Sequence, residues 1–220
     1  MGDIVSYRAV LFDLDGTLLD TLEDLADSMN AALQQLGFPP HPLAPYKYFV
    51  GDGVTNLVMR ALPEAHREEA TVAQAVGLMR SHYAEHWADK TRPYPGVPEL
   101  LDALGARGVR MAVLSNKPDD STKLCVAKLL PSWRFDAVIG ASKAVPPKPD
   151  PTGVREVVAR LGVPVEEFLY LGDTNTDMQT ANAAGMFAVG ALWGFRPAEE
   201  LREAGARALI ERPADLLKLL

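Results

Sequence analysis

Apolar positions along the chain follow two different spacings, and these spacings divide the chain into two kinds of segment. Residues 9–12 are a short, unbroken apolar run that ends at two aspartates and a glycine, which predicts a buried strand. Further on, apolar residues recur at every third or fourth position, which predicts amphipathic helices. This helical spacing covers residues 22–36, 46–61 and 64–87. We expect no strand between Thr17 and Arg92.

The pattern changes after Arg92-Pro-Tyr-Pro-Gly96, where prolines and glycine mark a boundary. Beyond it, predicted helices (97–106, 119–130, 151–161, 177–184) alternate with predicted strands (109–114, 135–139, 168–171, 186–189). Such alternation predicts an α/β fold with a doubly wound, Rossmann-like parallel sheet and helices on both faces. We therefore expect a core formed by residues 1–16 and 93–220, and an all-helical cap formed by residues 17–92 and inserted after the first strand.

Length, composition and charge narrow the class of protein. The 220 residues are 48% hydrophobic and 23% charged, which is typical of a globular chain that can bury a full core. The net charge of −7 argues against a nucleic-acid or anionic-membrane surface, and no apolar run approaches the roughly 20 residues that span a membrane. The single cysteine, Cys125, excludes an internal disulfide and favours a reducing, cytoplasmic location. The sequence leaves the number of subunits open.

Carboxylates follow two of the predicted strands at the point where each strand ends. Asp13 and Asp15 come directly after the first strand, while Asp173 and Asp177 follow the strand at 168–171. In open parallel sheets, ligands bind outside the carboxyl ends of the strands, so these side chains mark a candidate site. An isolated Asp-x-Asp pair is common in turns, and the assignment therefore depends on agreement between several stretches.

Two further stretches offer groups that bind anions. Ser115-Asn-Lys-Pro118 ends a predicted strand, and its hydroxyl and backbone N–H groups suit an anion, although an ordinary helix cap has the same pattern. Pro146-Pro-Lys-Pro-Asp-Pro151 surrounds Lys148 with prolines, which restrict the backbone and favour a held ammonium over a freely solvated one. Both interpretations of Lys148 carry equal weight on the sequence alone.

The charges at this expected site do not balance without a cation. At an effective dielectric of about 20, each pair of carboxylates about 4 Å apart costs roughly 4 kcal/mol. One lysine, Lys148, cannot offset the repulsion among Asp13, Asp15, Asp173 and Asp177. A divalent cation is therefore implied, and ligands that are all oxygen favour Mg²⁺ over zinc.

Together, four stretches of the sequence resemble the motifs of haloacid-dehalogenase (HAD) superfamily phosphohydrolases, in order and over essentially the whole chain. They are Asp13-Leu-Asp-Gly-Thr17, Ser115-Asn116, Lys148-Pro149 and Gly172-Asp-Thr-Asn-Thr-Asp177. The helical insertion lies between the first two, as in members with a helical cap. Finer features such as Val50-Gly-Asp-Gly53 and Pro93-Tyr-Pro-Gly-Val97 are most similar to phosphoglycolate phosphatases. The resemblance implies a phosphoric monoester hydrolase that acts on a small phosphorylated metabolite, with 2-phosphoglycolate as the favoured substrate.

The resemblance also implies a role for each charged residue. Asp13 is the expected nucleophile, which forms an aspartyl phosphate, and Asp15 is the expected proton donor and acceptor. The implied Mg²⁺ ligands are the carboxylates of Asp13 and Asp173 and the backbone carbonyl of Asp15. Asp177 is expected to orient Lys148 or a metal-bound water.

The remaining expected contacts concern the substrate. Ser115 and the Asn116 amide, together with Lys148, are implied to bind the transferring phosphoryl group. In the cap, Gly51-Asp-Gly53 is either a loop that reaches the substrate or a turn between helices. Lys47 and Arg60 are candidates for binding a substrate carboxylate, although a surface position is the simpler interpretation of each. The possible cap contacts are thus Gly51, Gly53, Lys47 and Arg60.

Three alternatives to a phosphatase remain open. A sugar phosphomutase of the β-phosphoglucomutase type shares these motifs, although Thr17 favours a hydrolase by family resemblance. A pyrophosphatase is possible on the same scaffold. A signalling receiver also combines a phosphoacceptor aspartate, a lysine and Mg²⁺, but the length of the chain, the cap and the extra Asp15 argue against it.

Overall fold

The computed structural model describes residues 7–220, so the first six residues of the expected core segment lie outside the described part. The chain divides into two compact units. One unit comprises the chain up to Leu19 together with Pro93–Leu220, and the other comprises Asp20–Arg92. Thr17, Leu18 and Leu19, which were expected in the cap, thus belong to the first unit.

A six-stranded sheet forms the centre of the first unit. The strands of the described residues are β1 (Ala9–Phe12), β2 (Leu19–Asp20), β3 (Arg92–Pro93), β4 (Arg110–Pro118), β5 (Ala137–Ala141), β6 (Phe168–Gly172), β7 (Phe187–Ala191) and β8 (Ala208–Ile210). The large sheet has the order β5-β4-β1-β6-β7-β8, while β2 and β3 form a separate pair. Every neighbouring pair in the large sheet is parallel, and Leu11 of β1 lies opposite Ala112 of β4 and Tyr170 of β6.

Helices fill the connections between these strands. They are α1 (Leu22–Gln35), α2 (Leu43–Phe49), α3 (Val54–Ala61), α4 (Glu69–His86), α5 (Val97–Ala106), α6 (Asp119–Leu129), α7 (Thr152–Leu161), α8 (Asn175–Ala184) and α9 (Ala198–Glu203). Short 3₁₀ turns lie at Glu64–His66, Val165–Glu167 and Pro213–Lys218. None of the described helices is both long enough and apolar enough to span a membrane.

The order of the sheet places a candidate site at its carboxyl edge. Numbered along the chain, the six strands follow the order 3-2-1-4-5-6 of a doubly wound fold. The second and third strands therefore lie on one side of the first strand, and the last three lie on its other side. In this fold the switch in direction opens a crevice at the carboxyl ends of the central strands. The predicted α/β fold class is therefore confirmed, and β1, with all four residues fully buried, lies at its centre.

The structure also differs from the predicted elements at several places. The expectation of no strand after Thr17 is wrong at Leu19–Asp20, because a two-residue strand carries no periodicity. The sequence likewise did not reveal β8 and α9, which are three and six residues long. Strand β5 lies two residues later than expected and includes Gly140, where a Cβ would collide with the backbone of Asp119 in α6. A glycine inside a strand often marks such a close approach.

The second unit is entirely helical apart from the short strands at its ends. Its helix α1 packs against α4 and α2, and it buries Leu25, Met29 and Leu33. The buried Asp24 carboxylate of α1 accepts hydrogen bonds from the Lys90 N–H at 3.1 Å and from the Thr91 N–H and hydroxyl at 2.8 and 2.7 Å. These bonds fasten the last residues of the unit to its first helix.

Candidate active site

Strands β1, β4 and β6 deliver polar side chains to one buried cluster at the carboxyl edge of the sheet. Asp13 directly follows β1, where its N–H donates to the Leu171 carbonyl of β6 at 2.9 Å. Ser115 lies within β4, and Asp173 directly follows β6. All three side chains are buried. Oxygens of Asp13 and Asp173 lie within 4.8 Å of one another, and β4 is paired with β1, so the three stretches meet where the parallel sheet predicts.

Lys148 connects the carboxylates of this cluster. Its Nζ donates to Asp13 Oδ1 at 2.6 Å, to Asp177 Oδ1 at 2.7 Å and to the Leu114 carbonyl at 3.2 Å. The Lys148 N–H donates to Asn116 Oδ1 at 2.6 Å, and Asn116 Nδ2 donates back to the Lys148 carbonyl at 3.4 Å. The side chain of Asn116 thus holds the Lys148 backbone, a role that the sequence did not reveal. A phosphoryl contact by the Asn116 backbone amide is compatible with this role.

Asp173 is fully buried and is held by neutral donors. Its Oδ1 accepts from the Thr17 hydroxyl at 2.9 Å, and its Oδ2 accepts from the Phe195 N–H at 2.8 Å. The Trp193 indole N–H in turn donates to the Thr17 carbonyl at 2.9 Å. Residues 193–195 therefore help to orient Asp173.

Two glycines allow the backbone to approach Asp173 closely. Gly16 has a φ of +95°, a left-handed conformation that favours glycine, and a Cβ there would lie closer than 3.0 Å to the Asp173 carboxylate. A Cβ on Gly194 would likewise lie closer than 3.0 Å to Asp173. Any larger residue at either position would displace this carboxylate.

Asp177 lies in the first turn of α8 and uses both of its oxygens within the protein. Its Oδ2 accepts from the Thr174 N–H at 3.1 Å and hydroxyl at 2.6 Å, which completes a capping box. Its Oδ1 accepts from Lys148 and from the Tyr170 hydroxyl at 3.2 Å. This arrangement suits a carboxylate that orients Lys148.

A second lysine, Lys117, also takes part in the cluster. The expectation that Lys148 is the one lysine facing the carboxylates is therefore wrong. Lys117 Nζ lies 3.1 and 3.2 Å from the two carboxylate oxygens of Asp15. In the sequence, Lys117 was visible only as a member of the Ser115-Asn-Lys-Pro118 stretch that follows the predicted strand. Ser115 Oγ also accepts from the Lys117 N–H at 3.2 Å.

Burial and neighbouring charges shift the protonation of this cluster. Burial raises the pKa of Asp13 well above its ordinary value, although the Lys148 ammonium opposes the rise. Burial and the nearby Asp177 carboxylate raise the pKa of Asp173 to about 7. Burial opposes the charge on Lys148, but Asp13 and Asp177 outweigh it and raise the pKa of this lysine, so that it stays charged. At Asp13 and Asp173, burial therefore favours the protonated form, and further positive charge nearby would oppose that effect.

The donor set fits a hard divalent cation. Asp13, Asp173 and Asp177 each offer an oxygen, and these oxygens lie within 4.8 Å of one another. The four carboxylates of the cluster carry two more formal charges than its two lysines, and a divalent ion would offset that difference. Oxygen ligands without nitrogen or sulfur favour Mg²⁺.

The candidate cap contacts lie in the helical unit and are described within it. Gly51 and Gly53 have φ angles of +124° and +85°, so both positions favour glycine. The Arg60 guanidinium donates to the carbonyls of Tyr48 and Phe49, each at 3.2 Å, and forms an ion pair with Asp52. Arg60 thus fastens the loop that contains both glycines. Lys47 lies in the last turn of α2.

Comparison with known proteins gives the family. A model of the family described as haloacid dehalogenase-like hydrolase matches residues 10–191. A phosphoglycolate phosphatase of Aquifex aeolicus is 35% identical over 213 residues, which cover 97% of this chain and 96% of the relative. The chain therefore belongs to the haloacid dehalogenase-like hydrolase family, and it is a phosphatase enzyme.

Solved structures agree with this assignment. The crystal structure of a protein from Lactobacillus delbrueckii subsp. bulgaricus, provisionally assigned as a phosphoglycolate phosphatase, has a TM-score of 0.91 and 33% identity, with 96% of this chain and 97% of that chain covered. A Bacteroides vulgatus protein provisionally assigned as a β-phosphoglucomutase has a TM-score of 0.78 at 19% identity, with 98% and 88% covered. The second likeness shows the shared fold alone.

Proposed function

We propose that this phosphatase is Mg²⁺-dependent and hydrolyses a small phosphomonoester, with 2-phosphoglycolate as the favoured substrate. The proposal includes an aspartyl phosphate formed on Asp13. It is supported most directly by the contact of 2.6 Å between Lys148 Nζ and Asp13 Oδ1 inside a buried acidic group. The curated relatives at 33–37% identity that are named phosphoglycolate phosphatases support the choice of substrate.

In the proposed first half-reaction, an Asp13 carboxylate oxygen attacks phosphorus in line with the leaving oxygen. The new bond joins that Asp13 oxygen to phosphorus, and the bond between phosphorus and the substrate oxygen breaks. Asp15 gives its proton to the leaving oxygen, which departs as an alcohol. Lys148 keeps a positive charge beside Asp13, which reduces the repulsion between this nucleophile and the phosphate dianion.

In the proposed second half-reaction, Asp15 takes a proton from a water molecule as its oxygen attacks the same phosphorus. The bond between Asp13 and phosphorus then breaks, which regenerates the Asp13 carboxylate and releases inorganic phosphate. Ser115 and the Asn116 amide are the proposed contacts to the phosphoryl oxygens, together with Lys148.

The residues proposed to hold Mg²⁺ are the carboxylates of Asp13 and Asp173 and the backbone carbonyl of Asp15. When bound, the ion supplies positive charge next to the phosphoryl oxygens and to the attacking carboxylate. Asp177 is proposed to orient Lys148, since its Oδ1 accepts from that ammonium at 2.7 Å.

We further propose that the helical unit is the cap of the enzyme and acts as a lid that excludes water and contacts the substrate. Gly51, Gly53 and Lys47 are the proposed contacts. The bonds from Arg60 to Asp52 and to two carbonyls support a role for Arg60 in shaping this loop rather than in binding the substrate directly. A cytoplasmic location stays a prediction.

The test is phosphate release from a panel of compounds, with Mg²⁺ and with EDTA. The panel holds 2-phosphoglycolate, pyrophosphate, sugar phosphates and nucleotides. We expect release to require Mg²⁺ and 2-phosphoglycolate to lead by at least tenfold in kcat/KM, which corresponds to about 1.4 kcal/mol. Asp13→Asn should lose turnover, whereas the control Asp102→Asn, which changes the partner of the Trp133 indole on the surface of α5, should keep it.

Other results would change the proposal in different ways. A higher kcat/KM for another compound would overturn 2-phosphoglycolate as the substrate, and transfer of phosphate to a sugar would indicate a phosphomutase. Turnover by Asp13→Asn comparable to wild type would overturn the aspartyl phosphate. Full activity in EDTA would overturn the requirement for Mg²⁺.

A further inference from the structure

The proposed mechanism assigns no task to Lys117, although this lysine lies in the buried cluster. Its ammonium donates to both carboxylate oxygens of Asp15, at 3.1 and 3.2 Å. The side chain of Lys117 is 5% exposed, and that of Asp15 is 14% exposed. Burying an ammonium is costly unless a charged partner compensates for the lost hydration, so this contact is a specific feature of the site.

The backbone of Lys117 is fastened on both sides, which gives its side chain a fixed origin. The Lys117 N–H donates to Ser115 Oγ at 3.2 Å, and its carbonyl accepts from the Thr122 hydroxyl of α6 at 3.1 Å. Strand β4 extends through Lys117 to Pro118, although its pairing with β5 shifts register after Leu114. An ammonium held in this way can fix the direction of the carboxylate that it contacts.

Asp15 needs such control more than the other carboxylates do. In the proposed mechanism it serves two oxygens in turn, that of the leaving alcohol and that of the attacking water. A displacement of about 1 Å in such a group can cost roughly 10²-fold in rate. Asp173 is fixed by Thr17 and Phe195, whereas the hydrogen bonds that the Asp15 carboxylate accepts within the described residues come from Lys117.

We propose that Lys117 is a positioning residue that orients the Asp15 carboxylate for proton transfer in both half-reactions. This inference rests on the proposed function, because it presupposes that Asp15 transfers the proton. A direct contact between Lys117 and the substrate would instead make KM depend on this lysine. The positioning role also differs from a purely structural role, which would affect all substrates and both half-reactions equally.

The test compares Lys117→Met with wild type on p-nitrophenyl phosphate and on the best alkyl phosphate of the panel. The p-nitrophenolate ion leaves without a proton, so its first turnover should not depend on the position of Asp15. We expect the rate of this first turnover in Lys117→Met to stay within threefold of wild type. Steady-state turnover should fall by about 10–100-fold, since release of phosphate still needs Asp15. A burst of one p-nitrophenolate per enzyme should then become visible.

The alkyl phosphate should behave differently, because its leaving oxygen needs a proton. For this substrate we expect the first turnover in Lys117→Met to fall by about 10–100-fold as well. Asp15→Asn should reproduce both patterns, and adding Lys117→Met to it should cause little further loss. The control Lys123→Met removes an exposed lysine that pairs with Asp119 on α6, and it should behave as wild type.

Several outcomes would overturn the inference while leaving the proposed function intact. They are an equal loss in the first turnover of both substrates, an increase in KM with kcat unchanged, and no loss at all. If Lys117→Met does not fold, Lys117→Gln, whose amide can donate one hydrogen bond to Asp15, is used in the same comparison. The proposed function itself would fail differently, because wild type and Lys123→Met would then release no phosphate from either compound.

Discussion

One tight constraint on the site is the contact between Gly194 and Asp173, and Gly194→Ala is the perturbation that tests it. A Cβ on residue 194 would lie closer than 3.0 Å to the Cβ, Cγ and Oδ2 atoms of Asp173. Ordinary carbon contacts lie at about 3.5–4.0 Å, so Asp173 or the 193–195 segment has to shift by roughly 1 Å. Such a shift stretches the bonds that Asp173 accepts from Thr17 and from the Phe195 N–H.

The expected magnitudes follow from these contacts. Overpacking a buried position costs about 1–3 kcal/mol, and weakening a hydrogen bond to a charged group adds about 1.5–3 kcal/mol where the bond is lost. Where one of these bonds is lost, we expect a total of about 2.5–6 kcal/mol, which for a chain of this size corresponds to a decrease in Tm of about 5–24 °C. Since Asp173 is a proposed Mg²⁺ ligand, a shift of about 1 Å should also lower kcat/KM by roughly 10²-fold.

The assay combines thermal unfolding with phosphate release over a range of Mg²⁺ concentrations. We expect Gly194→Ala to need more Mg²⁺ for half-maximal activity than wild type. The matched control is Gly105→Ala, in the last turn of α5, where a Cβ would meet no atom within 4 Å. Alanine there should be neutral or stabilising by up to about 1 kcal/mol. If Gly194→Ala had the Tm and the Mg²⁺ dependence of wild type, the reasoning about Asp173 would be refuted.

Two further predictions concern buried groups. Lys148→Met leaves Asp13 and Asp177 buried without their ammonium, so in EDTA it should lose about 3–5 kcal/mol of unfolding free energy, and an unchanged Tm would contradict this. Burial raises the pKa of the Cys125 thiol from 9.0 to about 11, which lowers its thiolate fraction near pH 8 by about 100-fold. Thiol labelling of Cys125 should therefore be at least about 100-fold slower in the native protein than in urea, and rapid labelling of the native protein would refute this prediction. The contribution of the buried, neutral thiol to the free energy of unfolding should also be lost as the pH rises from about 9 towards 11.

Local patterns were sufficient to predict the fold of the first unit. Apart from β8 and α9, its main strands and helices are long enough to show a period, and parallel strands bring their carboxyl ends to one edge. This geometry explains why Asp13, Asp173 and Lys148, which are far apart in sequence, could be expected near one another. Strand β8, with three residues, is too short for any period, so its absence from the predicted sheet has a physical cause.

Contacts between distant side chains could not be predicted in the same way. Lys117 and Asp15 are 102 residues apart, Asn116 and Lys148 are 32 apart, and nothing in either local pattern specifies the partner. The sequence offered Lys117 only as one residue in a short polar stretch. Its partner depends on the position of β4 beside β1 and on the direction of the side chain at the strand end.

The distribution of donors within the cluster indicates where positive charge is lacking. Lys148 lies between Asp13 and Asp177, and Lys117 contacts both oxygens of Asp15, so three carboxylates have an ammonium as partner. Asp173 instead accepts from a hydroxyl and a backbone N–H, and burial raises its pKa to about 7. Neutral donors offset less of the cost of burying a charge than an ammonium does, and burial raises the pKa of Asp13 as well, in spite of its contact with Lys148. A divalent cation held at Asp173 and Asp13 would therefore supply charge where two buried carboxylates need it, next to the oxygen proposed to attack phosphorus.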